Sequence, residues 1–160
     1  MAIRRILFVC TGNTGRSVAA QALAGRLIAA RGLRLTVASR GVAVDPDNTL
    51  PEPHLTTLLA ARGIDISAHR AMALTEADVE TADCILTMTA AHENIVLARH
   101  PNAAARLRML SQAARGTRQD VPDAFGAPLA TYQQLLAQLD ALIAEALGKL
   151  APTQEDRRPW

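Results

Sequence analysis

The sequence predicts a small α/β protein built on a parallel sheet. Three observations carry that reading. Short wholly apolar runs alternate with Ala/Leu-rich helical stretches along most of the chain. The first run ends in Ile6 to Val9 without the in–out alternation of a half-exposed sheet, as expected of a parallel strand buried on both faces. The segment after the first run, Cys10 to Ser17, has the glycines and polar residues of a ligand-binding strand-to-helix turn.

Ile3 to Val9 (IRRILFV) reads as the first strand. Ser17 to Arg31 has helical periodicity and helix-forming composition, with Gly32 placed to end it. Leu33 to Ser39 is a second strand. Gly41 to Pro53, with three prolines and two aspartates, is a loop, and His54 to Arg62 a helix closed by Gly63. Thr75 caps a short helix carrying Glu76 and Asp78 in its first turn. Asp83 to Met88 is a third strand, Ala90 to Arg99 a helix stopped before Pro101, and Arg106 to Leu110 a weaker fourth strand. Ser111 to Pro122 reads as polar loop and Pro128 to Leu150 as a long helix. One domain is expected over residues 1–150, followed by a polar tail, 151–160.

Composition removes several classes of function. At 160 residues and 49% hydrophobic, the chain is long and apolar enough for one packed domain. Two Phe, one Tyr and one Trp are too few to stack on nucleic-acid bases. The net charge of +2 is scattered rather than clustered, so no nucleic-acid or membrane-surface partner is expected. No window approaches a membrane span, and Met1 to Cys10 lacks the apolar core and cleavage site of a signal peptide. Two cysteines, Cys10 and Cys84, form neither a disulfide scaffold nor a metal-ligand spacing, and the expected compartment is the reducing cytoplasm. His54, His92 and His100 show no ligand spacing, so no metal is expected.

The chemistry concentrates in Cys10-Thr11-Gly12-Asn13-Thr14-Gly15-Arg16-Ser17. Gly12, Asn13 and Gly15 let the backbone turn tightly and aim amide groups into one hollow, and the next helix points its positive end there. The spacing is not that of a nucleotide loop: the two glycines are three apart and no lysine follows. Instead a cysteine enters the turn and an arginine follows six residues on. Amide groups, a helix end and a guanidinium are the surroundings in which a sulfur acts as nucleophile. Arg16 offers a planar fork matched to two phosphoryl oxygens, and Ser17 is placed to donate to the sulfur. Cys84, within an apolar strand, reads as a small core residue.

With these residues in view, the chain resembles the low-molecular-weight protein tyrosine phosphatase family from Ile3 to about Leu150. The resemblance rests on CTGNTGRS, on Ser39-Arg40-Gly41, on GIDISAHRA from Gly63, on ADCILTMT from Ala82 and on DVPDAFG from Asp120. It implies a flavodoxin-like four-stranded parallel sheet of order 2-1-3-4, with helices on both faces. It also implies Cys10 as nucleophile, Thr11 to Ser17 as the phosphate-binding loop, and Asn13, Ser17, Ser39 and His69 as its supports. Asp123 matches the family's general acid, although on its residues alone it reads equally as a turn aspartate after Pro122. Asp120 is the second candidate, one turn early for the pattern. Two departures stand out: Ala124 replaces a usual proline, which loosens the acid loop, and Gly15 replaces a frequent second cysteine.

The implied activity is hydrolysis of phosphotyrosine in proteins through a cysteinyl-phosphate, without cofactor, by a monomer or weak dimer. Thr14 and Phe125-Gly126, read as a substrate wall, also resemble the bacterial branch that removes phosphate from arginine. An arsenate reductase would need two further reactive cysteines, and only Cys84 remains. A non-catalytic phosphate-binding module would have no use for both Cys10 and Asp123.

Overall fold

The computed structural model describes residues 2–151, so all but Ala151 of the expected tail lies outside the described residues. Four strands, β1 (Arg5–Cys10), β2 (Thr36–Gly41), β3 (Cys84–Thr87) and β4 (Leu107–Met109), form one parallel sheet in the order β2-β1-β3-β4. This is the expected order. Around it pack α1 (Arg16–Arg31), α2 (Pro53–Ala60), α3 (Glu76–Thr81), α4 (Ala90–Arg99), α5 (Leu110–Arg115) and α6 (Leu129–Leu150). Among the described residues no helix is long and apolar enough to cross a membrane.

The pleat of β1 divides the core. Ile6, Phe8 and Cys10 point into a cluster with residues of α1, α2, α5 and α6. Leu7 and Val9 point the other way, onto Val79 of α3, Val96 of α4 and Ala103. Every β1 residue from Ile6 to Cys10 is buried, which is why the segment reads as a continuous apolar run. The long α6 buries Tyr132, Leu135, Leu136, Leu139, Leu142, Ile143, Ala146 and Leu147, a stripe at three- and four-residue spacing.

Several boundaries move from the expected ones for identifiable reasons. β1 starts at Arg5 because the amides of Arg4 and Arg5 bond the Asp83 carboxylate at 2.8 and 2.9 Å. The same interaction leaves Asp83 ahead of β3. β2 runs later than expected, since its register opens at Arg5↔Thr36 and closes at Cys10↔Gly41. α3 has the expected Thr75 cap, completed as a box by Asp78. Pro101–Arg106 is a 3₁₀ turn rather than the approach to a strand.

The expected polar loop from Ser111 to Pro122 is wrong in its first half. α5 occupies Leu110–Arg115, burying Leu110, Ala113 and Ala114 on one helical face before Gly116 ends it at φ 73°. Three apolar positions in one short helix were obscured by the polar residues between them.

Gly41 ends β2 against the Cys10–Ser17 loop. A β-carbon there would sit 2.6 Å from the Thr11 carbonyl oxygen, 2.8 Å from Val44 Cγ2 and 3.1 Å from the Asn13 nitrogen. Gly41→Ala must therefore push loop backbone aside. It is expected to lower the urea midpoint by an amount corresponding to about 1–3 kcal/mol, the usual range for overpacking. Activity should fall with it; an alanine variant of unchanged midpoint would refute this packing.

Candidate active site

The loop from Cys10 to Arg16 lies at the carboxyl end of β1, where the neighbouring strands β2 and β3 diverge to opposite sides, the usual ligand position in an open parallel sheet. Its carbonyls are taken up outside the hollow. Those of Cys10 and Thr11 accept from Val42 and Ala43 at 3.0 and 2.9 Å, that of Thr14 from Glu52 at 2.9 Å, and that of Gly15 from Ala19 at 2.9 Å. With the carbonyls turned outward, the amides of Gly12 to Gly15 have no protein acceptor among the described residues. They face a concavity of about 170 Å³ lined by all seven residues from Cys10 to Arg16. Unspent donors around a small hollow make an anion site.

Asn13 holds this shape. It adopts φ 55°, a left-handed conformation that asparagine tolerates better than most residues, and it is fully buried. Its Nδ2 donates to Ser17 Oγ at 2.8 Å and Ser39 Oγ at 2.9 Å, while its Oδ1 accepts from the Met72 amide at 3.0 Å. Ser39 passes its own hydrogen to Gln21 Oε1 at 2.6 Å. His69 Nε2 donates to the Asn13 carbonyl at 2.9 Å. The structure thus brings together all four residues expected to support the loop.

Ser17 Oγ, which accepts from Asn13, lies 2.9 Å from Cys10 Sγ; toward a thiolate, which can only accept, the Ser17 hydroxyl is the donor. Arg16 opens α1 with its side chain only 7% exposed. One guanidinium nitrogen donates to the Val121 carbonyl at 3.0 Å, and the other lies 3.6 Å from the Asp123 carboxylate. Asp123 is 61% exposed, at the edge of the hollow, and its Oδ1 accepts from the Phe125 amide at 3.0 Å. Ala124, in the place of the usual proline, is buried, and its carbonyl accepts from Ala127 at 2.8 Å, so this loop is tied down despite the substitution. Asp120 faces elsewhere, accepting from the Ala90 amide at 2.9 Å.

The hollow has further walls that sequence reasoning did not single out: Asn48, Glu52, Tyr132 and Leu135. Glu52 caps α2 through the Leu55 amide at 2.8 Å. Burial, and then the Glu52 and Asp123 carboxylates, raise the Tyr132 phenol. His92 of α4 is also here, with Nε2 2.8 Å from Thr11 Oγ1. Its position at the start of the helix after β3 was the one local signal, since that helix begins at the binding end of the sheet.

A family model described as low molecular weight phosphotyrosine protein phosphatase matches residues 5–156. The chain is 34% identical to a protein-arginine-phosphatase of Bacillus subtilis (strain 168), over 96% of this chain and 99% of that one. It is 32% identical to a probable low molecular weight protein-tyrosine-phosphatase, EpsP, of Ralstonia solanacearum, over 86% and 89%. The solved YwlE arginine phosphatase, in a mutant form with a phosphorylated active site serine, superposes with TM-score 0.87 at 32% identity, covering 91% of this chain and 95% of that one. The chain therefore belongs to the low-molecular-weight phosphotyrosine protein phosphatase family. Its members so named are protein phosphatases, and phosphorylated proteins are the substrates the family implies.

Cys84 is buried in β3, and that burial pushes its thiol up to about 11. It pairs beside Ile6, four residues before Cys10 on the same strand. At ~3.3 Å per residue its Cα is therefore at least about 13 Å from that of Cys10, well past the ~7 Å limit for a disulfide. Mild peroxide is expected to give Cys10 sulfenic and then sulfinic acid with no internal bridge. Peptide mapping by mass spectrometry checks this; a Cys10–Cys84 disulfide would refute it.

Proposed function

We propose that the chain hydrolyses phosphoarginine in proteins through a covalent intermediate on Cys10. The Cys10 sulfur attacks phosphorus while the bond from phosphorus to the guanidine nitrogen breaks, and Asp123 delivers a proton to that nitrogen. The Gly12–Arg16 amides and the Arg16 fork hold the three equatorial oxygens. Water then attacks the cysteinyl-phosphate, Asp123 takes a proton from it, and the sulfur leaves with phosphate released. Ser17, donating to the sulfur, favours that departure.

The observation that carries the substrate choice is the rim. Thr14, Glu52 and Asp123 place a hydroxyl and two carboxylates around the mouth. A phosphorylated guanidine keeps several N–H groups that need such acceptors, whereas a phenol has none. The similarity to a protein-arginine-phosphatase over 96% of the chain supports the same choice. A second reading, phosphotyrosine, is favoured by Phe125, which is 76% exposed and lines the same hollow as Tyr132, an aromatic surface on which a phenol ring would pack.

Initial rates on two peptides of identical flanking sequence, one with phosphoarginine and one with phosphotyrosine, decide between them. Faster turnover of phosphoarginine is expected, and the reverse order overturns the assignment. Cys10→Ser should abolish turnover on both while the protein stays folded, and a tenth of the activity remaining would refute covalent attack. Arg16→Lys should be nearly as damaging as Arg16→Ala, because an ammonium lacks the planar fork.

Asp123→Asn should cost about 10²–10⁴-fold on the better peptide. The loss should be smaller on para-nitrophenyl phosphate, whose leaving group needs little protonation. Asp120→Asn is the comparison and should cost little. Equal losses on both substrates, or a larger effect at Asp120, would move the acid role away from Asp123.

A further inference from the structure

α4 turns one imidazole toward the phosphate-binding loop. His92 is the third residue of that helix, its amide bonded to Thr89 Oγ1 at 3.1 Å and its ring buried, 4% exposed. Nε2 lies 2.8 Å from Thr11 Oγ1, while Nδ1 is buried with no partner among the described residues. These facts restrict where the ring keeps its hydrogen. Burial first, and then the Arg16 guanidinium, lower His92 to about 4; Asp120 and Asp123 act in the opposite direction without overcoming them. The ring is therefore neutral near pH 7.

Two neutral forms exist. With hydrogen on Nδ1, a buried N–H would have no acceptor, one of the rarer defects in folded proteins. With hydrogen on Nε2, the ring donates to Thr11 Oγ1 and only an acceptor lone pair stays idle. The second form costs less. Thr11 Oγ1 then accepts from His92 and still carries its own hydrogen, for which no protein acceptor exists among the described residues. Thr11 is exposed, follows Cys10 directly, and lines the hollow.

We propose that His92 is a positioning residue which, as the Nε2–H tautomer, donates to Thr11 Oγ1 and so commits the Thr11 hydroxyl hydrogen to an oxygen of the phosphoryl group above Cys10. Thr11 becomes a binding residue through its side chain as well as its backbone. This rests on the reading of the loop as a phosphoryl site and holds for either substrate.

Two measurements on the full chain test it. Long-range proton–nitrogen NMR of protein labelled at histidine nitrogens reads the tautomer at pH 7, with His92 identified by its absence in His92→Gln. A protonated Nε2 and bare Nδ1 are expected; hydrogen on Nδ1, or on both, overturns the proposal. Second, inhibition by inorganic phosphate is measured during para-nitrophenyl phosphate hydrolysis for Thr11→Val, His92→Leu and the double variant. Each single change should weaken phosphate about tenfold, the scale of one hydrogen bond to a charged group, and the double should lose no more than either.

His92→Gln, which restores a donor, should recover most of the loss. Additive losses, or a Thr11→Val variant that binds phosphate like the wild type, overturn the proposal. Because Thr11 is exposed, Thr11→Val and the tautomer decide the matter even if His92→Leu does not fold. A wild-type protein that neither binds phosphate nor hydrolyses the ester would instead defeat the phosphatase reading.

Discussion

The left-handed turn at Asn13 is the constraint on which the site depends. An anion site made of backbone amides works only if several successive amides converge, and a chain left to itself turns them toward water. Here the buried Asn13 side chain spends all its hydrogen-bonding groups in fixing that turn: two donors go to Ser17 and Ser39, and the oxygen goes to the Met72 amide. Each removes a freedom the loop would otherwise keep. Ser17 is left with one useful direction for its hydrogen, toward Cys10. Ser39 is left to bond Gln21, which ties the end of β2 to α1. These bonds are made within the protein and call on no ligand atom, which is the kind of fixed polar arrangement that favours binding of a charged group.

What was legible in the sequence follows from how local each feature is. The sheet was legible because parallel strands are buried on both sides, and a run of four apolar residues such as Ile6 to Val9, closed by a glycine-containing turn, suits a buried strand and is too short for a helix. Cys10, Arg16 and Ser17 were legible because a phosphate loop is contiguous: its ligating groups must follow one another along the backbone. Its supports, Ser39 and His69, came through the family resemblance, since nothing in their own neighbourhoods marks them. α5 was lost because a six-residue helix shows barely one repeat of its buried face. Glu52, Tyr132 and His92 were lost for a different reason. Glu52 lines the hollow from the cap of α2 and Tyr132 from α6, while His92 of α4 bonds Thr11 at its edge, and only the packing of those helices brings them there.

Arg16 joins two parts of the site that the chain holds far apart. Its position at the start of α1 is set by the loop, yet its guanidinium is anchored on the Val121 carbonyl, more than a hundred residues later. Val121 is in turn fixed by its N–H, which donates to the Met88 carbonyl just past the end of β3 at 2.8 Å. The segment carrying Asp123 is therefore positioned against the same side chain that lines the hollow. An ammonium in that place would keep the charge but lose the second direction of bonding, and with it the register between the two loops.

This division of labour accounts for one loop serving different phosphorylated side chains within a family. The groups that would hold the anion on this reading are backbone amides and Arg16, and their geometry is set by buried contacts to Asn13, Ser17, Ser39 and Val121. The other lining groups come from separate segments and, on the proposed reading, meet the rest of the substrate: Thr14 in the loop, Glu52 before α2, Phe125 after Asp123 and Tyr132 in α6. Phe125 is held through its backbone amide, which donates to the Asp123 carboxylate, and Tyr132 reaches the hollow from a helix whose buried stripe is otherwise aliphatic. Changing such a rim residue alters which leaving group fits without disturbing the network around Asn13. Thr14 is the exception, since it lies within the loop itself, but its carbonyl is held by the Glu52 amide whatever its side chain. On the proposed reading, selectivity would rest on residues whose side chains the loop does not need for its shape, which is the condition for changing substrate while keeping the chemistry.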